Sequence, residues 1–337
     1  LPWIGATALT SSPKVSVLMI THNHERYIEQ AVRSVLMQQV DCDFELVIGE
    51  DCSTDRTRLI VLGLAREFPD QIRLLLPDRN LGMIQNLIAT YQSCKGRYIA
   101  LCEGDDYWTS PGKLQLQLDY MDQHPECRLC FHNARIVDEA GIESLGSVRP
   151  PSAARVGLAE WLLHRSWRGS YIATAATMFR RPDGTLPDWY ERLRFAGDWP
   201  LFLWLLLQGG ELAHIDANLS VYRRHAGSVT QATSSSDMSR KLAALNADLE
   251  DHELVMGKLE ARVGRLLRPR IGFLHYRLLG EHLAAGQVDL AKKHLWLCVS
   301  ASAAHAWRIR RELLRCLLEL HFPPVFRLVM RFRRSVR

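Results

Sequence analysis

Glu103-Gly104-Asp105-Asp106 places three carboxylates within four residues, directly after the apolar run Tyr-Ile-Ala-Leu-Cys. Neighbouring carboxylates repel one another unless a cation or a hydrogen-bond donor neutralises them. Hard divalent cations take oxygen ligands, and Mg2+ is typically held by one or two carboxylates together with substrate phosphates. A metal site is therefore one reading. The other is an acidic cap for a helix opening near Pro111 and Lys113, because helix N-termini favour negative charge. A second acidic run is Glu50-Asp51-Cys52-Ser53-Thr54-Asp55. Here Asp51 could accept a hydrogen bond from a base or ribose, or the run could simply cap a helix through Ser53 or Thr54. Asn80-Leu81-Gly82 with Asn86 reads as a tight turn before a helix, since Gly82 and Asn80 tolerate left-handed backbone.

These residues need a frame that brings them together. Lys14 to Ile20 reads as a strand, and a helical pattern begins near Arg26 with Ile28, Ala31, Val32, Val35 and Leu36 on one face. The alternation continues with a strand at 44–49, a helix at 54–68, a strand at 72–76, a helix at 83–93 and a strand at 98–102. Strands alternating with helices predict a parallel α/β sheet covered on both faces, with ligands outside the C-terminal strand ends. Thr21-His22-Asn23, the Glu50 run and the Glu103 run all fall there. Beyond them the pattern predicts a helix at 113–124, a strand at 127–137, a loop at 141–157, a strand at 174–179, an apolar helix at 198–208 and a strand at 214–224. From about Asp237 the chain reads as helices alone.

The order Val-Ser-Val-Leu-Met-Ile-Thr-His-Asn, Glu-Asp-Cys-Ser-Thr-Asp, Asn-Leu-Gly with Asn86, and Glu-Gly-Asp-Asp-Tyr-Trp-Thr-Ser-Pro resembles family 2 glycosyltransferases of the GT-A fold over about residues 14 to 230. The resemblance implies a Rossmann-like, mostly parallel sheet flanked by helices and followed by an all-helical region. Together with the residue pattern at either end, the expected division is a leader over 1–13, a GT-A domain over 14–235 and helices with a basic tail over 236–337. The resemblance also implies an inverting, metal-dependent enzyme of hexosyltransferase type. Such an enzyme moves a sugar from a nucleotide donor, UDP by expectation, to a hydroxyl of a glycan or lipid-linked acceptor in bacterial surface polysaccharide synthesis.

The resemblance assigns roles residue by residue. Thr21, His22, Asn23, Glu50, Asp51, Asn80, Gly82 and Asn86 would meet the nucleotide sugar, with Asp51 on the base. Asp106 would hold the divalent cation, Mn2+ or Mg2+, with Asp105 beside it facing the ribose or a metal-bound water. Gly104 stands where the family's first aspartate is usual, and Glu103 lies one residue earlier. His22 replaces a common tyrosine, and Ile20 a common proline. Phe195-Ala196-Gly197-Asp198-Trp199 resembles the segment carrying the catalytic base, so Asp198 is the expected base, or else the N-cap of the apolar helix. In Tyr222-Arg223-Arg224-His225-Ala226-Gly227-Ser228, His225 would be a further metal ligand or touch the diphosphate, and Arg223 or Arg224 would neutralise phosphate.

The totals restrict the alternatives. With 337 residues, 47% hydrophobic and 23% charged, the chain suits a globular protein with a substantial core. A net charge of +5 does not call for a nucleic-acid partner. The eight scattered cysteines read as reduced thiols, and Cys127 and Cys130 as part of a buried strand in preference to a zinc pair. No signal peptide is legible and no apolar run approaches the ~20 residues of a membrane span, so the expected location is cytoplasmic. From Arg308 to Arg337 arginines interleave with apolar residues. That tail reads either as a basic amphipathic helix for peripheral contact with the inner membrane face or as a packed helix with a solvated arginine face. A nucleotidyltransferase would show a Gly-rich loop after the first strand, where this chain has Thr-His-Asn-His-Glu. A degenerate glycan-binding scaffold is the non-enzymatic alternative.

Overall fold

A computed structural model describes residues 3–4, 13–150, 155–168 and 170–321. The strands are β1 (Trp3–Ile4), β2 (Val15–Thr21), β3 (Phe44–Glu50), β4 (Ile72–Leu75), β5 (Tyr98–Leu101), β6 (Tyr107–Trp108), β7 (Cys127–Val137), β8 (Glu143–Val148), β9 (Arg155–Val156), β10 (Thr177–Arg180) and β11 (Glu211–Arg223). The helices of the sheet region are α1 (Ile28–Leu36), α2 (Thr57–Glu67), α3 (Met83–Ser93), α4 (Lys113–Gln123), α5 (Leu158–Arg168) and α6 (Asp198–Leu207). Those that follow are α7 (Val229–Ala232), α8 (Met238–Met256), α9 (Ala261–Gly264), α10 (Arg268–Ala284), α11 (Val288–Ala301), α12 (Ala303–Arg308) and α13 (Arg310–His321). Chain contacts separate two units, Leu1–Trp161 with Ser170–Ala226, and Leu162–Gly169 with Gly227–Arg337.

The first unit carries a sheet in the order β1-β4-β3-β2-β5-β10-β7-β11-β6. Its β4-β3-β2-β5 block is parallel, as the strand–helix alternation predicts. The later strands mix senses: β10 runs antiparallel to both β5 and β7, whereas β11 runs parallel to β7. Every residue of β2 and of β3 is buried, which explains their continuous apolar reading. Val17, Met19, Leu46, Ile48, Val61, Leu74, Ala100 and Trp108 belong to the core that holds these strands at fixed register.

Three sequence expectations change. The predicted loop at 141–157 contains β8, paired with β7, and β9, paired with β11. Its glycine, serine and arginine content hides strand periodicity, and the pairing partners supply the order. The predicted leader contributes β1, which pairs antiparallel with Leu74 and Leu75 of β4. The strand expected from Thr174 begins at Thr177, after a short 3-10 turn. Cys127 and Cys130 are buried in β7, and burial pushes the Cys127 thiol up to about 12.

The second unit is helical among the described residues. Leu245, Leu249, Ile271, Leu274 and Leu278 form one core, and Leu279, Leu295, Cys298, Leu313 and Leu320 another. The described part of the basic tail therefore packs through Leu313 and Leu320 and leaves Arg310, Arg311 and Arg315 exposed. Residues 322–337, which carry the rest of that expectation, lie outside the described residues. Among the described residues no helix is long and apolar enough to cross a membrane.

Candidate active site

The acidic turn is built as an extension of the β2–β5 ladder. Cys102 N donates to Leu18 O and Gly104 N to Ile20 O, each at 3.1 Å, which carries the pairing past the formal strand end. The turn closes with Asp106 N donating to Glu103 O at 3.1 Å. On its far side β6 pairs with Ser220 and Val221 of β11, and Arg223 N donates to Asp106 Oδ1 at 2.8 Å. The turn is thus held from both sides of the sheet. A side chain on Gly104 would begin 2.5 Å from Thr21 Oγ1 and 2.7 Å from Thr21 Cβ. That contact explains the missing acid at this position, and Glu103 joins Asp105 and Asp106 instead, with oxygens of all three within 4.8 Å of one another.

The three acids of this cluster are unequally compensated. Asp106 is 1% exposed, and its Oδ2 has no hydrogen-bond partner. Burial, reinforced by Asp105 and Glu103, pushes its carboxyl well above the usual carboxylate range. Burial together with the charges of Asp105 and Asp198 raises Glu103 to about 8. Asp105 goes the other way: burial works to raise it, but the hydrogen bond from His225 and the charges of His24 and His225 hold it down. An orphaned, buried carboxylate oxygen beside two more acids fits the donor set of a divalent cation. The alternative of a helix cap fails, because the N-cap of α4 is Gly112 and no side chain caps it.

Two histidines face Asp105. His225 Nε2 lies 2.9 Å from Asp105 Oδ2, and His24 Nε2 lies 3.9 Å from the same oxygen. His24 was not among the expected site residues. Its backbone N–H donates to Thr57 Oγ1 at 2.8 Å, and its Nδ1 lies 3.2 Å from Thr21 Oγ1. The only hint of it in the sequence is its place in the polar loop that follows a central strand.

The three strand ends where the donor contacts are expected are joined to one another by hydrogen bonds. His22 Nδ1 lies 3.0 Å from Asp51 O, and Asn80 Nδ2 donates to the same carbonyl at 3.0 Å. Asn23 and Cys52 have left-handed backbone, with φ of 56° and 54°. Asn23 Oδ1 accepts from Thr54 N, and Asn23 N donates to Ser53 Oγ, so the loops after β2 and β3 are laced together. Asp51 spends its carboxylate on the turn, accepting from Leu81 N at 2.7 Å and from Gly82 N at 2.9 Å. Gly82 starts α3 with φ of 83°.

Thr21 and Glu50 are buried positioning residues. Glu50 Oε1 accepts from Ser53 N at 2.7 Å, and its other oxygen pairs with Arg58. Asn86 faces the sheet and not the crevice: it is 2% exposed and donates to Gly49 O at 2.8 Å. Ser53 and Thr54 do not cap α2; Asp55 Oδ1 accepts from Thr57 N instead.

Arg223 corrects a further expectation. It is 4% exposed, with Nε donating to Asp105 O at 3.1 Å and Nη2 to Gln30 Oε1 at 2.9 Å. Its guanidinium lies 4.8 Å from the Tyr27 ring centroid. Those contacts hold it as a buried brace beside the acidic turn, whereas Arg224 is exposed. Asp198 is the first residue of α6, not its cap, and its Oδ1 accepts from Trp199 N at 2.7 Å. It is half-buried and near enough to Glu103 to raise that acid. The Gly197 before it is fixed by Tyr190, whose hydroxyl donates to Gly197 O, and by Leu87 of α3.

Residues 16–161 match the family described as Glycosyl transferase family 2. An uncharacterized protein of Mycobacterium tuberculosis is 36% identical over 221 residues, 63% of this chain and 59% of that protein. The chain thus spans about three-fifths of the length of that relative. The UDP-Glc:alpha-D-GlcNAc-diphosphoundecaprenol beta-1,3-glucosyltransferase of Escherichia coli is 34% identical over 108 residues, 32% of this chain and 40% of that enzyme. Among solved structures, Staphylococcus aureus TarS 1–349 in complex with UDP-GlcNAc aligns at a TM-score of 0.61, covering 91% of this chain and 88% of that one. At 17% identity that likeness shows the shared GT-A-like α/β fold alone. The matched segment, residues 16–161 with the acidic turn inside it, is similar to glycosyl transferase family 2.

Proposed function

We propose that the chain transfers a sugar from a UDP-linked donor to a hydroxyl of a glycan or lipid-linked acceptor, with inversion, in the synthesis of a bacterial surface polysaccharide. The observation that carries this reading is the unpartnered Asp106 Oδ2, buried among Asp105 and Glu103 with Asp198 beside them. The donor class is supported by the UDP-sugar named for the E. coli enzyme, and the acceptor class by the diphosphoundecaprenol in that name. Catalysis is assigned to 14–235, with β1 from the segment before it added at the sheet edge and 236–337 as the helical region.

Asp105, Asp106 and His225 would hold a divalent cation, Mn2+ or Mg2+. When bound, it supplies neutralising charge to the diphosphate of the donor. The strand-end loops of His22, Asn23 and Asn80 seat the nucleotide. Asp198, at the start of α6, takes the acceptor hydroxyl proton as that oxygen attacks the anomeric carbon from the face opposite the nucleotide. Bond formation and departure in one displacement invert the anomeric configuration.

A donor panel with Mn2+, read as UDP release, tests the activity. Asp198→Asn should lose turnover while keeping donor affinity, and Asp106→Ala should lose both. Near-normal turnover in Asp198→Asn removes the base assignment. A nucleotidyltransferase would release diphosphate instead, and a glycan-binding scaffold would release nothing.

The exposed arginines of α13 support peripheral contact with an anionic membrane on the cytoplasmic side. Pelleting with anionic liposomes, before and after changing Arg310, Arg311 and Arg315 to Gln, tests this contact. Equal pelleting of the two forms rejects these arginines as its source.

A further inference from the structure

We propose that His24 is itself a ligand of the divalent cation, and that His24 and His225 together bias the site toward transition-series cations and away from Mg2+. This rests on the reading above that a cation binds at Asp105. His24 Nε2, Asp105 Oδ2 and His225 Nε2 all lie within 4.8 Å of one another, with the two nitrogens 3.9 and 2.9 Å from the oxygen. A cation bound at about 2.1–2.2 Å to each ligand holds such atoms about 3–4.3 Å apart, so the set needs little movement to close. Asp105 also belongs to a separate cluster with Glu103 and Asp106, and there the Oδ2 of Asp106, 1% exposed, has no hydrogen-bond partner, a second and independent sign of a missing cation beside this carboxylate.

His24 is held for this task. With Nδ1 engaged by Thr21 Oγ1 at 3.2 Å, the nitrogen left to face Asp105 is Nε2. A partner on the remote ring nitrogen is the usual way that a ligating imidazole is oriented. The backbone of His24 is tied to Thr57, and its ring stands edge-on to His225 at 5.9 Å between centroids. Gly104 completes the arrangement, since a Cβ there would come within 3.0 Å of His24 Nδ1. An imidazole ligates through a nitrogen lone pair, so a hydrogen on His225 Nε2 that faces Asp105 has to leave that nitrogen when the cation binds. Imidazole nitrogen suits transition-series cations, whereas Mg2+ prefers an all-oxygen octahedron with retained waters.

The test uses the full chain with Mn2+ alone as probe, then Mn2+ with UDP, in pulsed electron paramagnetic resonance. Wild type should show nitrogen couplings from two imidazoles. His24→Gln should show one, bind Mn2+ about 10-fold more weakly and leave Mg2+ affinity unchanged. The nitrogen count of the wild-type protein does not depend on how well the variant folds. A single imidazole coupling in wild type, unchanged by His24→Gln, overturns the role of His24 and leaves the cation site standing. Absence of Mn2+ binding, or equal binding by Asp105→Asn, overturns the cation reading itself and this inference with it.

Discussion

Restoring an aspartate at Gly104, where the family usually has one, should damage this protein. A Cβ at this position meets Thr21 Oγ1 at 2.5 Å, Thr21 Cβ at 2.7 Å and His24 Nδ1 at 3.0 Å. Rotating the hydroxyl away removes only the first contact. The second is fixed to the backbone of β2, which is buried along its whole length and paired on both sides. Gly104→Ala therefore displaces a central strand end, and overpacking of this kind costs about 1–3 kcal/mol. For a chain of this size that is a fall in melting temperature of about 2–4 °C per kcal/mol. The rotation also breaks the Thr21–His24 contact, so Mn2+ affinity should fall together with stability. Gly104→Asp adds a fourth carboxylate among Glu103, Asp105 and Asp106 and should be worse on both counts. Thermal melts and Mn2+ titrations of the two variants check this. A Gly104→Ala protein that melts and binds Mn2+ like wild type refutes the steric account.

Lys113 is wholly buried, with Nζ 3.7 Å from the Trp108 ring centroid and no hydrogen-bond partner, and burial lowers it from 10.5 to about 7. Near pH 7 that shift costs about 4 kcal/mol, of which stacking on Trp108 returns about 1–2. Between about pH 7 and 10.5 the unfolded chain keeps a proton that the folded chain has lost, so stability rises with pH. Lys113→Met should therefore stabilise in urea melts at pH 7, by about 2–3 kcal/mol, and the gain should vanish near pH 10.5; a loss at pH 7 contradicts the reasoning. Arg223→Lys cannot reproduce both the bidentate brace and the stacking on Tyr27, and should cost about 1–3 kcal/mol. Its effect on UDP affinity should not grow at low salt, as a lost phosphate contact would. Replacing the buried Glu50 (Glu50→Gln) should weaken its pairing with the half-buried Arg58 and lower thermal stability without changing the donor preference, read from the donor panel.

The strand–helix alternation through residue 124 and the three acidic or polar strand ends were legible in the sequence, because period and turn chemistry are local properties. Met83–Ser93 and Cys127–Val137 fell where the pattern placed them. The family resemblance likewise came from motifs read in order along the chain. What remained open was which of the gathered side chains face the crevice. Asn86 and Glu50 look like donor contacts in sequence, yet Gly49 O and Arg58 claim them. Arg223 looks like a phosphate ligand, yet it is buried behind Asp105. His24 carries no motif, and only the register of β2 against β5, with β11 leading to His225 some 120 residues beyond Asp105, sets two imidazoles around one carboxylate. Residue type and spacing determined the chemistry available to this protein. Burial and hydrogen-bond competition, which arise between segments some 120 residues apart such as Asp105 and His225, decided which groups remain to perform it.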